Sequence, residues 1–205
     1  MQTRNSITFL VFSLLLISPT FLSAAKTPQD LIRSSCAQAR YPTLCVQTLS
    51  NQVGPTTKPL NLAQAAVNAT LTHALTLSVY FNTLQSHVAL GPTVSNRLRV
   101  AVSDCVEQIS DSVTELNRTL NELRHLRMGT FEWQMSNAQT WASTALTNGN
   151  SCINGLNRSD AEKKMKLEVK RRVTDLSMLT SNALYLINRV SDSRNPKPHS
   201  SNSKN

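Results

Sequence analysis

The chain has 205 residues, with 21 Lys and Arg against 12 Asp and Glu, a formal net charge of +9. Five glycines and few alternating polar–apolar runs argue against a β-sandwich or barrel. The basic balance admits nucleic acid, an anionic surface or an acidic polymer as partner, and the N-terminus narrows that choice.

Residues 1–25 read as a signal peptide. Arg4 supplies a positive start, Phe9–Ser18 ("FLVFSLLLIS") is apolar but too short to span a bilayer, and Ser23 and Ala25 are small residues placed for cleavage before Lys26. A secreted protein of the extracellular space follows, with neither nucleic acid nor a membrane as partner. Without this segment the chain keeps 20 Lys and Arg against 12 Asp and Glu, a charge of +8. In an extracellular matrix that charge implies weak association with acidic polysaccharide.

Residues 26–190 are long enough for one domain with its own core. Its first part, 26–58, carries Cys36 and Cys45 on either side of Tyr41-Pro42, which suits a short helical hairpin broken at the proline. The remainder, 59–190, shows four helical patterns. In the first, Leu62, Ala66, Ala69, His73, Tyr80 and Leu84 form the inner stripe, ended by Gly91-Pro92; Leu71, Leu75 and Val79 on the other side suggest a second cover. The second is the most regular: Leu98, Val102, Cys105, Ile109, Val113, Leu116, Leu120 and Leu123. The third, within Phe131–Asn157, places Phe131, Met135, Ala138, Ala142, Leu146 and Gly149 inward and has no charged residue after Glu132. The fourth runs through Val169, Val173, Leu176, Thr180, Ala183, Ile187 and Val190, with Ser159 as its expected N-cap and Glu162 completing a capping box. Short connections favour antiparallel neighbours, so the fold expected is an all-α, up-down-up-down four-helix bundle behind a helical hairpin. Residues 191–205, rich in Ser, Asn and Pro, read as a disordered basic tail.

Four cysteines in a secreted chain allow three pairings. Cys36–Cys45 clamps the hairpin locally. Cys105 lies 23 residues before Met128 and Cys152 lies 22 after Thr130, so an antiparallel pair of helices brings them level. The geometry selects Cys36–Cys45 and Cys105–Cys152.

No nucleophile elbow, phosphate loop or H-E-x-x-H motif is present. His73, His87, His125 and His199 are widely spaced, and the first two fall on the inner side of their helix as core or boundary residues. Disulfide-bonded cysteines leave no thiol for metal or catalysis, so no cofactor, metal or catalytic residue is expected. Sequons stand at Asn68, Asn117 and Asn157, the last of them in a loop.

Charge divides the helices. Asp104, Glu107, Asp111, Glu115 and Glu122 make an acidic stripe on the second helix, broken by Arg118, while "EKKMKLEVKRR" opens the fourth with six cations. Between them the third helix steps outward through Trp133, Asn137, Thr140, Thr144 and Asn148. Protein interfaces are depleted of Lys and Glu at their centre and enriched in aromatics, so this is either a docking face or a face covered by the N-terminal hairpin.

"LIRSSCAQARYPTLC" (Leu31–Cys45), "AVSDCVEQISDSVTEL" (Ala101–Leu116), "TWASTALTNGNSC" (Thr140–Cys152) and "LTSNALYLINRV" (Leu179–Val190) together resemble the signatures of the plant invertase/pectin methylesterase inhibitor domain. The resemblance covers Leu31 to about Val190. It implies a four-helix bundle with an N-terminal hairpin and two disulfides, and an inhibitor of a carbohydrate-active enzyme rather than an enzyme. "FEWQMSNAQTW" is similar to members assigned to pectin methylesterase, and the Pro-Lys-Phe motif of the invertase inhibitors is absent. The expected activity is therefore a reversible 1:1 complex with pectin methylesterase that blocks its pectin cleft in the apoplast and cell wall. Weak association with acidic pectin would accompany it. Acid invertase is the alternative target, and an apolar-ligand carrier using the bundle interior is a reading of a different class. Asp104, Glu107 and Asp111 would form the acidic rim of the docking surface and make affinity pH-dependent, with Trp133, Asn137, Thr140 and Thr144 at its centre.

Overall fold

A computed structural model describes residues 27–52 and 58–194. The expected signal peptide and residues 195–205 of the expected tail lie outside the described residues. Among the described residues six helices follow in order: α1 (Pro28–Cys36), α2 (Pro42–Ser50), α3 (Pro59–Leu90), α4 (Asn96–Arg124), α5 (Phe131–Asn157) and α6 (Lys163–Arg194), with a 3₁₀ turn, Met128–Thr130, before α5. Proline stands in the first turn of α1, α2 and α3, where its missing N–H costs no hydrogen bond. Thr27 and Asp30 form a capping box on α1, and Ser95 caps α4 through the Leu98 amide.

Helices α3, α4, α5 and α6 form a closed square, each packed on the next, with α6 returning to α3. The all-α bundle expected from periodicity is the fold observed. The α1–α2 hairpin packs on α3 and α6, not on α5. Asn182, nearly buried on α6, seats it: its Oδ1 accepts from the Tyr41 amide at 3.1 Å and its Nδ2 donates to the Tyr41 carbonyl at 2.9 Å. Arg189 donates to the Ser35 carbonyl at the end of α1. Cys36 is bonded to Cys45 and Cys105 to Cys152, the latter with Cα atoms 4.6 Å apart.

The stripes of α4 and α6 fall where their spacing predicts, Val113 alone being only half-buried. That of α3 is rotated. Its buried residues are Leu62, Ala63, Ala66, Val67, Thr70, Ala74, Leu77, Phe81 and Val88, while Ala69, His73, Tyr80 and Leu84 are half-buried and His87 is exposed. The reason is physical. Residues 59–96 contain no Lys, Arg, Asp or Glu, so no charged face fixes the helix's rotation. Phe81, the bulkiest fully buried side chain, and Thr70, whose hydroxyl bonds the Ala66 carbonyl, decide it instead. The expected second cover on α3 is likewise missing: Leu75 is 51% and Val79 66% exposed.

Two boundaries move. Ser159 does not cap α6; it is buried behind the end of α5, donating to the Leu156 carbonyl and accepting from the Ala161 amide. α6 begins four residues later, and the Glu162 carbonyl accepts its first bond, from Lys166. At its other end α6 runs to Arg194, into the segment expected to be a tail, because Ser191 bonds Gln139 and the Arg194 guanidinium stacks 4.2 Å over the Phe131 ring.

Candidate docking surface

α5 buries Phe131, Met135, Ala138, Ala142, Ala145 and Gly149 and turns Trp133, Ser136, Thr140, Ser143, Thr144 and Thr147 outward. Leu146, expected inside, is only half-buried, and Ala145 takes its place. Small residues let α4 and α5 approach closely. The buried hydroxyls of Ser112 and Thr119 on α4 each bond their own i−4 carbonyl and reach the Ala145 and Ala138 carbonyls of α5 at 3.4 and 3.5 Å. On the α6 side, Gly149 is needed for contact, since a Cβ there would come within 3.0 Å of Ser177 Oγ and 3.1 Å of Val173 Cγ1.

Most of the outer hydroxyls donate to their own helix. Ser143 bonds Gln139 O, Thr144 bonds Thr140 O, Thr147 bonds Thr144 O and Ser151 bonds Thr147 O. A partner that covers this face therefore strips little water from unsatisfied donors, which keeps the desolvation cost of docking low. Ser136, Gln139, Thr140, Ser143, Thr144 and Thr147 line a shallow open groove along the helix. Trp133, 65% exposed, stands near one end of it.

Of the four centre residues expected, Trp133, Thr140 and Thr144 share this exposed face. Asn137 is half-buried and leans to α4, where its Nδ2 donates to Glu122 Oε1 at 3.3 Å. Asn148 also turns inward, its Nδ2 buried. Both lie on the α4 side of the helix, where side chains fill the seam before they meet solvent.

Along that seam α4 presents its acids unequally. Glu122 is spent inside the fold, accepting from Asn137 and Gln134. Glu115 pairs with Arg118 at 3.2 Å, and the Arg118 guanidinium lies 5.9 Å from the Trp141 ring centre. Asp104, Glu107 and Asp111 are exposed and, among the described residues, make no ion pair. These three are thus the acids open to a partner.

Sequence reasoning missed Gln134. This buried side chain accepts from the Arg127 amide and the Thr130 hydroxyl, and donates to Glu122 Oε2 and the His125 carbonyl, so it closes the α4–α5 turn. A polar residue one turn into the helix, in line with the buried Phe131 and Ala138, was its only signal. The sequon residues Asn117 and Asn157 are exposed, Asn68 is half-buried, and the hydroxyls of Thr70 and Ser159 in two sequons are tied up in the fold. Among the described residues no group of three or more His, Cys, Asp or Glu is placed to hold a metal, and no helix is long and apolar enough to cross a membrane.

A family profile described as plant invertase/pectin methylesterase inhibitor matches residues 30–186, so it takes in both disulfides, nearly all of the hairpin, the whole of α3, α4 and α5, and α6 as far as Leu186. The chain belongs to that inhibitor family. Pectinesterase inhibitor 3 of Arabidopsis thaliana is 41% identical over 196 residues, covering 93% of each chain. Pectinesterase inhibitor 9 of the same plant is 32% identical over 96% of this chain and 99% of its own, and a 21 kDa protein of Daucus carota is 33% identical over 87% and 92%. Two solved structures of pectin methylesterase inhibitors from Arabidopsis share the family fold. One, a mutant form, covers 80% of this chain and 97% of its own at a TM-score of 0.60 and 15% identity; the other covers 78% and 95% at 0.52 and 19%.

Proposed function

We propose that the mature chain is a secreted inhibitor of pectin methylesterase that acts without chemistry of its own. It forms a reversible 1:1 complex in the cell wall and covers the pectin cleft. The observation that carries this reading is the outer face of α5: uncharged, with most of its hydroxyls bonded to their own helix, tied to α4 by a disulfide, and exposed. Such a face suits the centre of a protein interface, which excludes Lys and Glu and keeps aromatics. Asp104, Glu107 and Asp111 form a charged rim beside it, which favours fast, oriented encounter with a basic surface. The names of the relatives supply the target class. Against the carrier reading, the void between the hairpin, α3 and α6, lined by Cys45, Leu49, Ala66 and Leu186, measures about 10 Å³ and admits one water at most.

The deciding experiment titrates the purified protein into a pectin methylesterase and an acid invertase side by side. Stoichiometric loss of esterase activity at one equivalent, with invertase unaffected, is the expected result. Inhibition of the invertase alone transfers the docking face to that target, and turnover of pectin or sucrose by the protein itself ends the inhibitor reading. N-terminal sequencing of the protein recovered from the apoplast should begin at Lys26.

A further inference from the structure

Ionic groups are distributed unevenly along the bundle. The α3–α4 and α5–α6 connections meet at one end, where the Ser95 hydroxyl donates to Asp160 Oδ1 at 2.6 Å. Arg97 and Arg158 line one open groove there. Lys166 Nζ lies against the same connection, donating to the Asn157 and Ser159 carbonyls at 3.1 and 2.7 Å. Lys163 and Lys170 stand three residues before and four after it, on the same side of α6.

With Lys164 this makes six cations against Asp104, Asp160 and Glu162, and Arg99 adds a seventh held on the Gly91 carbonyl, an excess of four at this end. The neighbouring carboxylates do not offset it. Glu168 and Asp175 are taken by Arg171 and Arg172, whereas Arg97, Arg158, Lys163, Lys164 and Lys170 are exposed and make no ion pair among the described residues. Three arginines elsewhere are engaged within the fold, Arg189 on the Ser35 carbonyl, Arg194 over Phe131 and Arg118 beside Trp141, while Arg124 and Arg127 stand exposed at the opposite end. Stability does not account for the cluster either. The first turn of α6 holds no acid, and its lysines sit where the helix dipole disfavours cations.

We propose that this end of the bundle binds acidic polysaccharide, specifically the carboxylate-bearing, de-esterified form of pectin, as a second function separate from enzyme docking. The cations are spread over two connections and about 10 Å of α6, with no enclosed pocket among them. That arrangement suits a flexible polyanion held at several weak points rather than one small anion. The choice of polymer rests on the inhibitor reading: hydrolysis of a methyl ester leaves a carboxylate, so the product of the target enzyme bears the charge these lysines meet and the substrate does not. The inhibitor is thereby retained where the esterase has already acted, which builds product feedback into its location.

The test measures binding of the full mature protein to immobilised polygalacturonate and to fully methyl-esterified pectin, at low and at physiological salt. Salt-sensitive binding to polygalacturonate alone is expected. The variant K163Q/K164Q/K170Q should bind about tenfold more weakly with its melting temperature unchanged, while the charge-matched control at the opposite end, K58Q/R124Q/R127Q, keeps wild-type affinity. Equal binding of the two polymers, equal loss in both triple variants, or no binding at low salt overturns the proposal. Wild-type inhibition of pectin methylesterase, assayed in parallel, separates the two readings. If inhibition fails while polygalacturonate binding holds, only the docking reading falls; the reverse outcome removes only this one.

Discussion

Asn182 spends both ends of its amide on a single residue, the Tyr41 backbone, across 141 positions of sequence. The pairing holds the turn between α1 and α2 against α6, and its removal leaves two backbone groups unpaired in a mostly buried place. Asn182→Leu should therefore cost about 2–3 kcal/mol, read from the urea midpoint, because a lost partner charges the full desolvation of the group left behind. An unshifted midpoint means that water replaces the amide there. Ser95 and Asp160 offer a second test at this scale. The Ser95 hydroxyl, more than any other neighbour, holds the Asp160 carboxyl below its ordinary range. A carboxylate with a depressed folded-state pKa adds stability above its unfolded value and loses it as pH falls through the folded one. In Ser95→Ala the Asp160 titration followed by NMR should move upward; a curve that stays put assigns the shift to other neighbours. Neither pair was legible in the sequence, since a mid-helix Asn and a loop Asp announce no partner when the partner is remote.

At the scale of helices, legibility followed charge. α4 and α6 carry ionic residues on their outer sides, so the apolar stripe has a single possible rotation, and their cores fall where the spacing puts them. α3 has no charged residue, and its rotation differs from the one its spacing predicts; α5 has none after Glu132, and it differs only at its edges, at Asn137, Leu146 and Asn148. Ambiguity of this kind is also what makes the outer side of α5 suitable for docking. Apart from Trp133 its residues are small and exposed, and Ser143, Thr144, Thr147 and Ser151 bond their own backbone, so bulk and charge should be tolerated by the fold and not by a partner. Thr140→Lys and Thr144→Lys should each weaken inhibition of pectin methylesterase at least about tenfold with unchanged melting temperature, as expected of a desolvated lysine at an interface centre. Full inhibition by both variants would mean that the partner meets another face. The rim is tested by rate rather than affinity. Neutralising Asp104, Glu107 and Asp111 together should slow association several-fold at low salt and much less at high salt, since steering by exposed charge is screened. A salt-independent loss points to direct contacts instead.

The whole molecule is asymmetric across its square section. The hairpin covers the α3–α6 edge, and the open faces of α5 and of the acidic side of α4 lie across the bundle from it. The spacing of Cys105 and Cys152 about the α4–α5 turn was readable because an antiparallel helix pair has one register; the seat of the hairpin was not, because it depends on Asn182 and Arg189 far along the chain. The asymmetry assigns different work to the two disulfides. Cys105–Cys152 closes a separation of 47 residues and ties α4 to α5 at the end away from the Gln134 network, whereas Cys36–Cys45 spans 9 residues within the hairpin. Loop-closure entropy puts the longer bridge at about 4 kcal/mol and the shorter at about 2.6 kcal/mol. The variant C105A/C152A should show the larger fall in urea midpoint and also weaken inhibition, because the docking face loses the clamp that fixes α5 against α4. C36A/C45A should lose less stability and, at a temperature where it remains folded, inhibit like the wild type. If the hairpin variant is folded yet fails to inhibit, the partner is seated on the hairpin side of the bundle and the outer face of α5 is surplus to docking.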